Sequence, residues 1–190
     1  MIPDQLTSEE RSVLLHLARQ SLEKAVKGEI LPALDSNAIP SSLLEPGATF
    51  VTLTKRGELR GCIGALEAHQ PLVEDVREHA VAAALQDYRF PPVQPEEISD
   101  IGIEISRLTT PQPLEYTGPD DLVSHLRPGV DGVVIRDGFR RATFLPQVWE
   151  KIPDPRVFLS YLCQKMGASP DLWMHKKLEV LTYQVEEFQE

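Results

Sequence analysis

The run Leu59-Arg60-Gly61-Cys62-Ile63-Gly64 puts a thiol two residues after a guanidinium, with glycines on either side of both the thiol and the residue after it. Side chains alternate along a regular strand, so Arg60 and Cys62 would share one face and Leu59 and Ile63 the other. Residues two apart are separated by roughly 6.6 Å, close enough for a guanidinium to fold back over a sulfur. A neighbouring cation favours the thiolate over the unperturbed pKa of about 8.5. The chemistry this suits is that of a nucleophile or a substrate-holding thiol, with Arg60 polarising Cys62. Glycines inside an extended run mark a bulge or a close approach by a ligand or another backbone, which brings Gly61 and Gly64 into the same candidate site. The alternative is a small buried hydrophobe at Cys62, with glycines required by packing. Spacing alone favours that second reading.

Other residues extend the candidate site. Asp87 and Arg89 precede Phe90-Pro91-Pro92, at a helix-to-loop junction of the kind that often carries function. They either line one cleft with Cys62 or pair with each other. Glu104 projects from the polar side of an alternating strand. If that strand neighbours the Cys62 strand, Glu104 meets Arg60 in a cross-strand ion pair; otherwise it belongs to a solvated face. Arg140 and Arg141, with Arg136 just before the intervening turn, form the one compact basic spot in the sequence. Such a spot can grip a phosphate or carboxylate, or fix its hairpin to the acidic Trp149-Glu150 region. The five histidines show no metal-ligand spacing, no cofactor is implied, and only His69 is worth testing beside Cys62. No Walker loop, GxGxxG or zincin pattern occurs.

These residues need elements to position them. Thr7-Ser8-Glu9-Glu10 reads as a capping box. A helix is predicted over 7–28, with Leu14, Leu17, Ala18 and Leu22 at helical spacing and Gly28 as stop. Residues 30–47 read as an irregular wrap pinned by Ile39, Leu43 and Leu44. Strands are predicted over 49–54 and 59–66, joined by a four-residue connection at Lys55-Arg56-Gly57-Glu58. A helix opening at Pro71 is expected to run until Phe90-Pro91-Pro92 stops it. Ile101, Ile103 and Ile105 alternate with smaller and polar residues as a half-buried strand. A short helix is expected over 121–126. Asp137-Gly138 signals a hairpin between strands over 131–136 and 139–144. Asp154-Pro155 opens another helix with Gly167 as stop, Trp149 and Trp173 read as core anchors, and residues 178–188 close the chain as one extended segment. This order predicts α+β, with a mixed or antiparallel sheet and flanking helices, as a single domain over 1–190 whose core runs over about 48–188.

Composition bounds the rest. The 190 residues are 42% hydrophobic and 25% charged, an ordinary globular balance, with a formal net charge of -10. Such a surface repels polyphosphates and argues against nonspecific nucleic-acid binding. Two cysteines, Cys62 and Cys163, support neither a zinc ribbon nor a disulfide framework. Met1-Ile2-Pro3-Asp4-Gln5 lacks the blocks of a signal peptide, and no apolar run approaches the roughly 18 residues of a membrane span. A cytoplasmic location is the expectation.

The hexapeptide, together with Asp87-Tyr88-Arg89-Phe90-Pro91-Pro92, Gly129-Val130-Asp131-Gly132-Val133, the run Arg141 to Glu150 and Tyr183-Gln184-Val185-Glu186, resembles the AMMECR domain family. The resemblance covers roughly Thr7 to Phe188. It implies a mixed α+β fold with a larger and a smaller subdomain, likened to the RAGNYA group of nucleotide-handling folds. Prokaryotic members resemble protein A of the AmmeMemoRadiSam system, so the implied partners are a Memo-like protein and a radical SAM protein. No activity transfers with the resemblance. Functional weight passes to Arg60, Gly61, Cys62 and Gly64. Two functions therefore stand as expectations. One is a binding or adaptor component taking a nucleotide-like or anionic ligand; the other is a small enzyme or enzyme subunit using Cys62 with Arg60, and with Asp87 or Glu104 as proton carrier.

Overall fold

Two sheets, each with its own helices and its own apolar core, organise the chain in a computed structural model that describes residues 5–190. Met1 to Asp4, read above for a leader segment, lie outside the described residues. The first compact unit runs to Leu108 and takes back Glu186–Glu190; the second is Thr109–Val185.

The first unit opens with helix α1 (Ser8–Val26), and Thr7 caps it as its sequence predicts. The Thr7 amide donates to Glu10 Oε2 at 2.7 Å while the Glu10 amide donates to Thr7 Oγ1 at 3.2 Å. Gly28 then adopts φ 71, a left-handed exit that a Cβ would oppose. Leu43, in a short 3-10 turn at Ser41–Leu44, is fully buried, and Ile39 and Leu44 pack beside it. Strand β1 (Pro46–Lys55) pairs with β2 (Glu58–Gly64), with the short β3 (Gln70–Pro71) and with β4 (Ile101–Leu108), antiparallel in each case. With β9 (Val185–Gln189) the strand order is β2-β1-β4-β9.

Helix α2 (Leu72–Leu85) and α1 cover one face of this sheet. Val51, Leu53, Ile103 and Ile105 point into a core with Leu14, Ala18, Val76 and Ala80. The predicted alternation of β4 is present: its isoleucines are buried, and Gly102 and Glu104 are half-buried on the other side.

In the second unit β5 (Gln112–Pro113), β8 (Glu179–Tyr183), β6 (Gly132–Asp137) and β7 (Arg140–Phe144) form a sheet in the order β5-β8-β6-β7. Helices α3 (Pro119–His125), α4 (Pro155–Lys165) and α5 (Leu172–His175) complete it. Asp154 caps α4 by accepting from the amides of Arg156 and Val157. The buried Trp149 stacks on Phe158 with centroids 3.7 Å apart, and its indole donates to the Asp131 carbonyl.

Four sequence expectations shift. The β1–β2 connection is a two-residue turn, because Lys55 pairs with Glu58 and leaves Arg56 and Gly57 at φ 55 and 84, as in a type I′ hairpin. The second hairpin turns at Gly138-Phe139 rather than at Asp137-Gly138. Asp137 pairs with Arg140, and Gly138 at φ 61 takes glycine's first central position of a type II′ turn. Helix α2 stops at Leu85, before Phe90-Pro91-Pro92, and this frees Asp87 to reach β2. The extended C-terminal stretch divides at Gln184 into β8 and β9, which belong to different sheets. Among the described residues no helix is long and apolar enough to cross a membrane.

Candidate functional site

The hexapeptide forms β2, an edge strand, and it is not regular. Leu53 pairs with Gly61 but Thr54 pairs with Leu59, so Arg60 is the extra residue of a β-bulge. Alternation does not carry across a bulge, and the face-sharing expected of Arg60 and Cys62 loses its basis. The Arg60 side chain finds other partners. Its Nε and Nη2 donate to the two carboxylate oxygens of Glu97 at 3.1 and 2.9 Å, and Nη1 donates to the Pro91 carbonyl at 2.9 Å. Lys55 Nζ donates to the same carboxylate at 2.8 Å. Hydrogen bonds from Arg60, then from Lys55 and the Gln94 amide, push the Glu97 carboxyl down to about 2. The guanidinium is 12% exposed, and all its nitrogens are engaged by a structural carboxylate and a carbonyl.

Both glycines answer to close packing. A Cβ on Gly61 would stand 2.2 Å from the Ala83 carbonyl oxygen of α2. On Gly64 it would meet the Phe50 ring and the Thr49 carbonyl oxygen, each at 2.4 Å. The glycine signal of the motif is therefore a helix and a ring pressed against a strand.

Asp87 and Arg89 do meet Cys62, through its main chain. The Cys62 amide donates to Asp87 Oδ2 at 2.9 Å, and Arg89 Nη2 donates to the Cys62 carbonyl at 3.2 Å. The two side chains also grip each other, with Arg89 Nε on Oδ1 at 2.9 Å and Nη2 on Oδ2 at 2.6 Å. Asp87 is 4% exposed. The bonds from Arg89, followed by the one from the Cys62 amide, hold its carboxyl far below the usual range. Unpaired edge groups of a sheet invite association; here the loop after α2 occupies those of Cys62.

The thiol itself lies on the face turned away from the helices. Cys62 sits opposite Thr52, and Thr52 sits opposite Glu104 on β4. Thiol, hydroxyl and carboxyl thus line up across three strands. The Thr52 hydroxyl donates to Cys62 Sγ at 3.3 Å, and Cys62 is half-buried rather than packed away. Burial, then the charge of Glu187, raises the Glu104 carboxyl. The expected Arg60–Glu104 ion pair does not form, because β1 lies between their strands. Cys163 is the buried cysteine, and burial pushes its thiol up. His69 is exposed beside Glu67.

Arg140 and Arg141 belong to the second unit, and its basic spot is largely neutralised. Arg140 and Lys176 both bond Asp137, Arg136 pairs with Glu179 at 3.2 Å, and Arg141 is also engaged. Among the described residues no group of three His, Cys, Asp or Glu side chains is placed to hold a metal ion. Sequence reasoning missed Glu97 and Thr52. The Gln94-to-Glu97 capping spacing was a legible sign of the first, and the hairpin register fixes the second.

The AMMECR1 family model matches residues 15–188. The chain belongs to the AMMECR1 family. A protein of Methanothermobacter thermautotrophicus is 39% identical over 97% of this AMMECR1-family chain and 96% of its own. One from Thermofilum pendens is also 39% identical, over 97% and 92%. The crystal structure of the uncharacterised protein PH0010 from Pyrococcus horikoshii superposes with a TM-score of 0.81 at 34% identity, covering 97% of this chain and 93% of that one. The family match spans both units and includes Leu59 to Gly64 on β2.

Proposed function

We propose that this AMMECR1-family chain is a ligand-binding or adaptor component, and that its working surface is the face of the first unit carrying Cys62, Thr52 and Glu104. One observation supports the reading most: Asp87 and Arg89 clamp the main chain of Cys62, while the residue is only half-buried and its sulfur is bonded to a hydroxyl. A fixed, accessible group without an oriented base suits recognition better than nucleophilic attack. The resemblance to protein A of the AmmeMemoRadiSam system supplies the partners, a Memo-like protein and a radical SAM protein, in the cytoplasm. The ligand is a small anion or a nucleotide-like molecule presented to those partners. The alternative, a small enzyme using Cys62 with Arg60, is weakened by the engagement of Arg60 with Glu97 and Pro91.

Thermal unfolding with S-adenosylmethionine, nucleotides and short RNA, alongside co-purification with the two partner proteins, tests the proposal. A ligand at a hundred times its Kd adds about 2.7 kcal/mol, an upward shift that is easily read. Binding of either partner at micromolar concentration, or stabilisation by any member of the panel, is the expected result. No association and no shift across the panel would overturn it.

A further inference from the structure

Two guanidinium groups flank the Cys62 segment, and only one is available. Arg60 has partners on Nε, Nη1 and Nη2 and is 12% exposed. The Arg89 side chain is 44% exposed, and its Nη1 has no hydrogen-bond partner among the described residues. Asp87 accepts from Nε and Nη2, and so fixes the plane of the group and the direction in which Nη1 points. Arg89 Nη2 lies 3.2 Å from the carbonyl of Cys62 itself, which keeps the charge within one residue of the thiol. The charge of a Cys62 thiolate is in turn among the influences that hold Arg89 protonated, after the bonds from Asp87. Cys62 is half-buried, and its sulfur takes a hydrogen bond from Thr52.

The surroundings select among anions. Asp87 offsets most of the Arg89 charge, Glu97 and Glu104 lie in the same unit, and the whole chain carries -10. A polyphosphate meets repulsion there, whereas a monoanion can be held by the one free guanidinium nitrogen, Nη1. We infer that the ligand of this face is a small carboxylate, seated on Nη1 of Arg89 with its other end against the sulfur of Cys62. The inference rests on the binding reading above and names its ligand class.

Iodoacetate and iodoacetamide differ in charge and share one reaction, which makes them the probe pair. The Cys62 sulfur displaces iodide: the S–C bond forms as the C–I bond breaks, iodide leaves with the electron pair, and the thiol proton passes to buffer. The rate ratio of iodoacetate to iodoacetamide at Cys62 is read by peptide mass spectrometry, in the native protein and in urea. The native ratio is expected to exceed the urea ratio by about threefold to tenfold, against the repulsion of an acidic protein. Arg89→Gln should return it to the urea value, Arg89→Lys should keep part of it, and Arg60→Lys should leave it unchanged. In the unaltered protein, propionate should slow the neutral reagent, a readout that survives if Arg89→Gln fails to fold. A native ratio at or below the urea ratio, or one that persists in Arg89→Gln, overturns the carboxylate assignment while ligand binding in the thermal assay can still stand. A native Cys62 inert to both reagents overturns the accessible face itself, and the assignment with it.

Discussion

Glu97→Gln separates the structural role of Arg60 from any role at the thiol. Glutamine keeps an oxygen for the Gln94 amide, which donates to Glu97 at 2.9 Å, so the local cap survives and the charge alone is removed. The Glu97 carboxyl is depressed from 4.5 to about 2, first by Arg60 and then by Lys55. At about 1.4 kcal/mol per pH unit that interval is worth about 3 kcal/mol. The carboxylate is 18% exposed and Lys55 35%, so solvent screening lowers the expectation to about 2 kcal/mol. Because the folded value lies below the unfolded one, this stability is present above pH 4.5 and fades as pH falls from there through about 2. Urea unfolding at pH 7 should therefore show the variant about 2 kcal/mol less stable, and the two proteins should converge near the folded value of about 2. A loss below about 0.5 kcal/mol at neutral pH, the size of an exposed ion pair, would refute the reasoning. So would a loss that stays constant down to that acid limit.

Gly61→Ala forces a Cβ to within 2.2 Å of the Ala83 carbonyl oxygen, and should cost about 3 kcal/mol or prevent folding, read by urea unfolding. Asp87→Asn leaves Arg89 without its carboxylate and weakens the acceptor of the Cys62 amide; a loss of about 2–3 kcal/mol is expected. Since the Asp87 carboxyl is depressed from 3.8, that loss should be full above its ordinary value and shrink as pH falls below it, in the same unfolding assay. Arg56→Gly relieves a non-glycine residue held at φ 55 and gives up only an exposed pair with Asp100. A gain of roughly 0.5 kcal/mol in thermal unfolding is expected.

The local elements were legible because their signals are local. The Thr7 capping box, the alternation of Ile101 to Ile105 and the Asp154 cap each involve residues within a few positions, and each forms as its pattern indicates. The α+β class with antiparallel pairing follows from their order. What escaped was long-range. Nothing near Arg60 announces that Glu97, 37 positions on, will hold it, and the glycines allow for a bulge without showing that Arg60 is its extra residue. The glycines do stand at points of close approach, but the approaching groups, the Ala83 carbonyl and the Phe50 ring, come from a helix and a neighbouring strand. The Glu104 expectation depended on strand order, which pairing decides and sequence does not show. Whether Arg140 and Arg141 grip an anion or fix their hairpin stays open in the sequence, because Lys176 and Glu179, which reorganise the charge of that spot, stand far along the chain.

We propose that the half-buried Cys62 lies on a partner-binding surface, whereas Cys163 is buried in a core. The direct measurement is the alkylation rate of each cysteine by iodoacetamide in the native protein, alone and with the Memo-like and radical SAM proteins added. Rapid modification of Cys62 is expected, with slow modification of the buried Cys163 with its raised thiol, and protection of Cys62 when the two proteins are present. Equal rates for the two cysteines, or a Cys62 rate that the two proteins leave unchanged, would contradict the proposal.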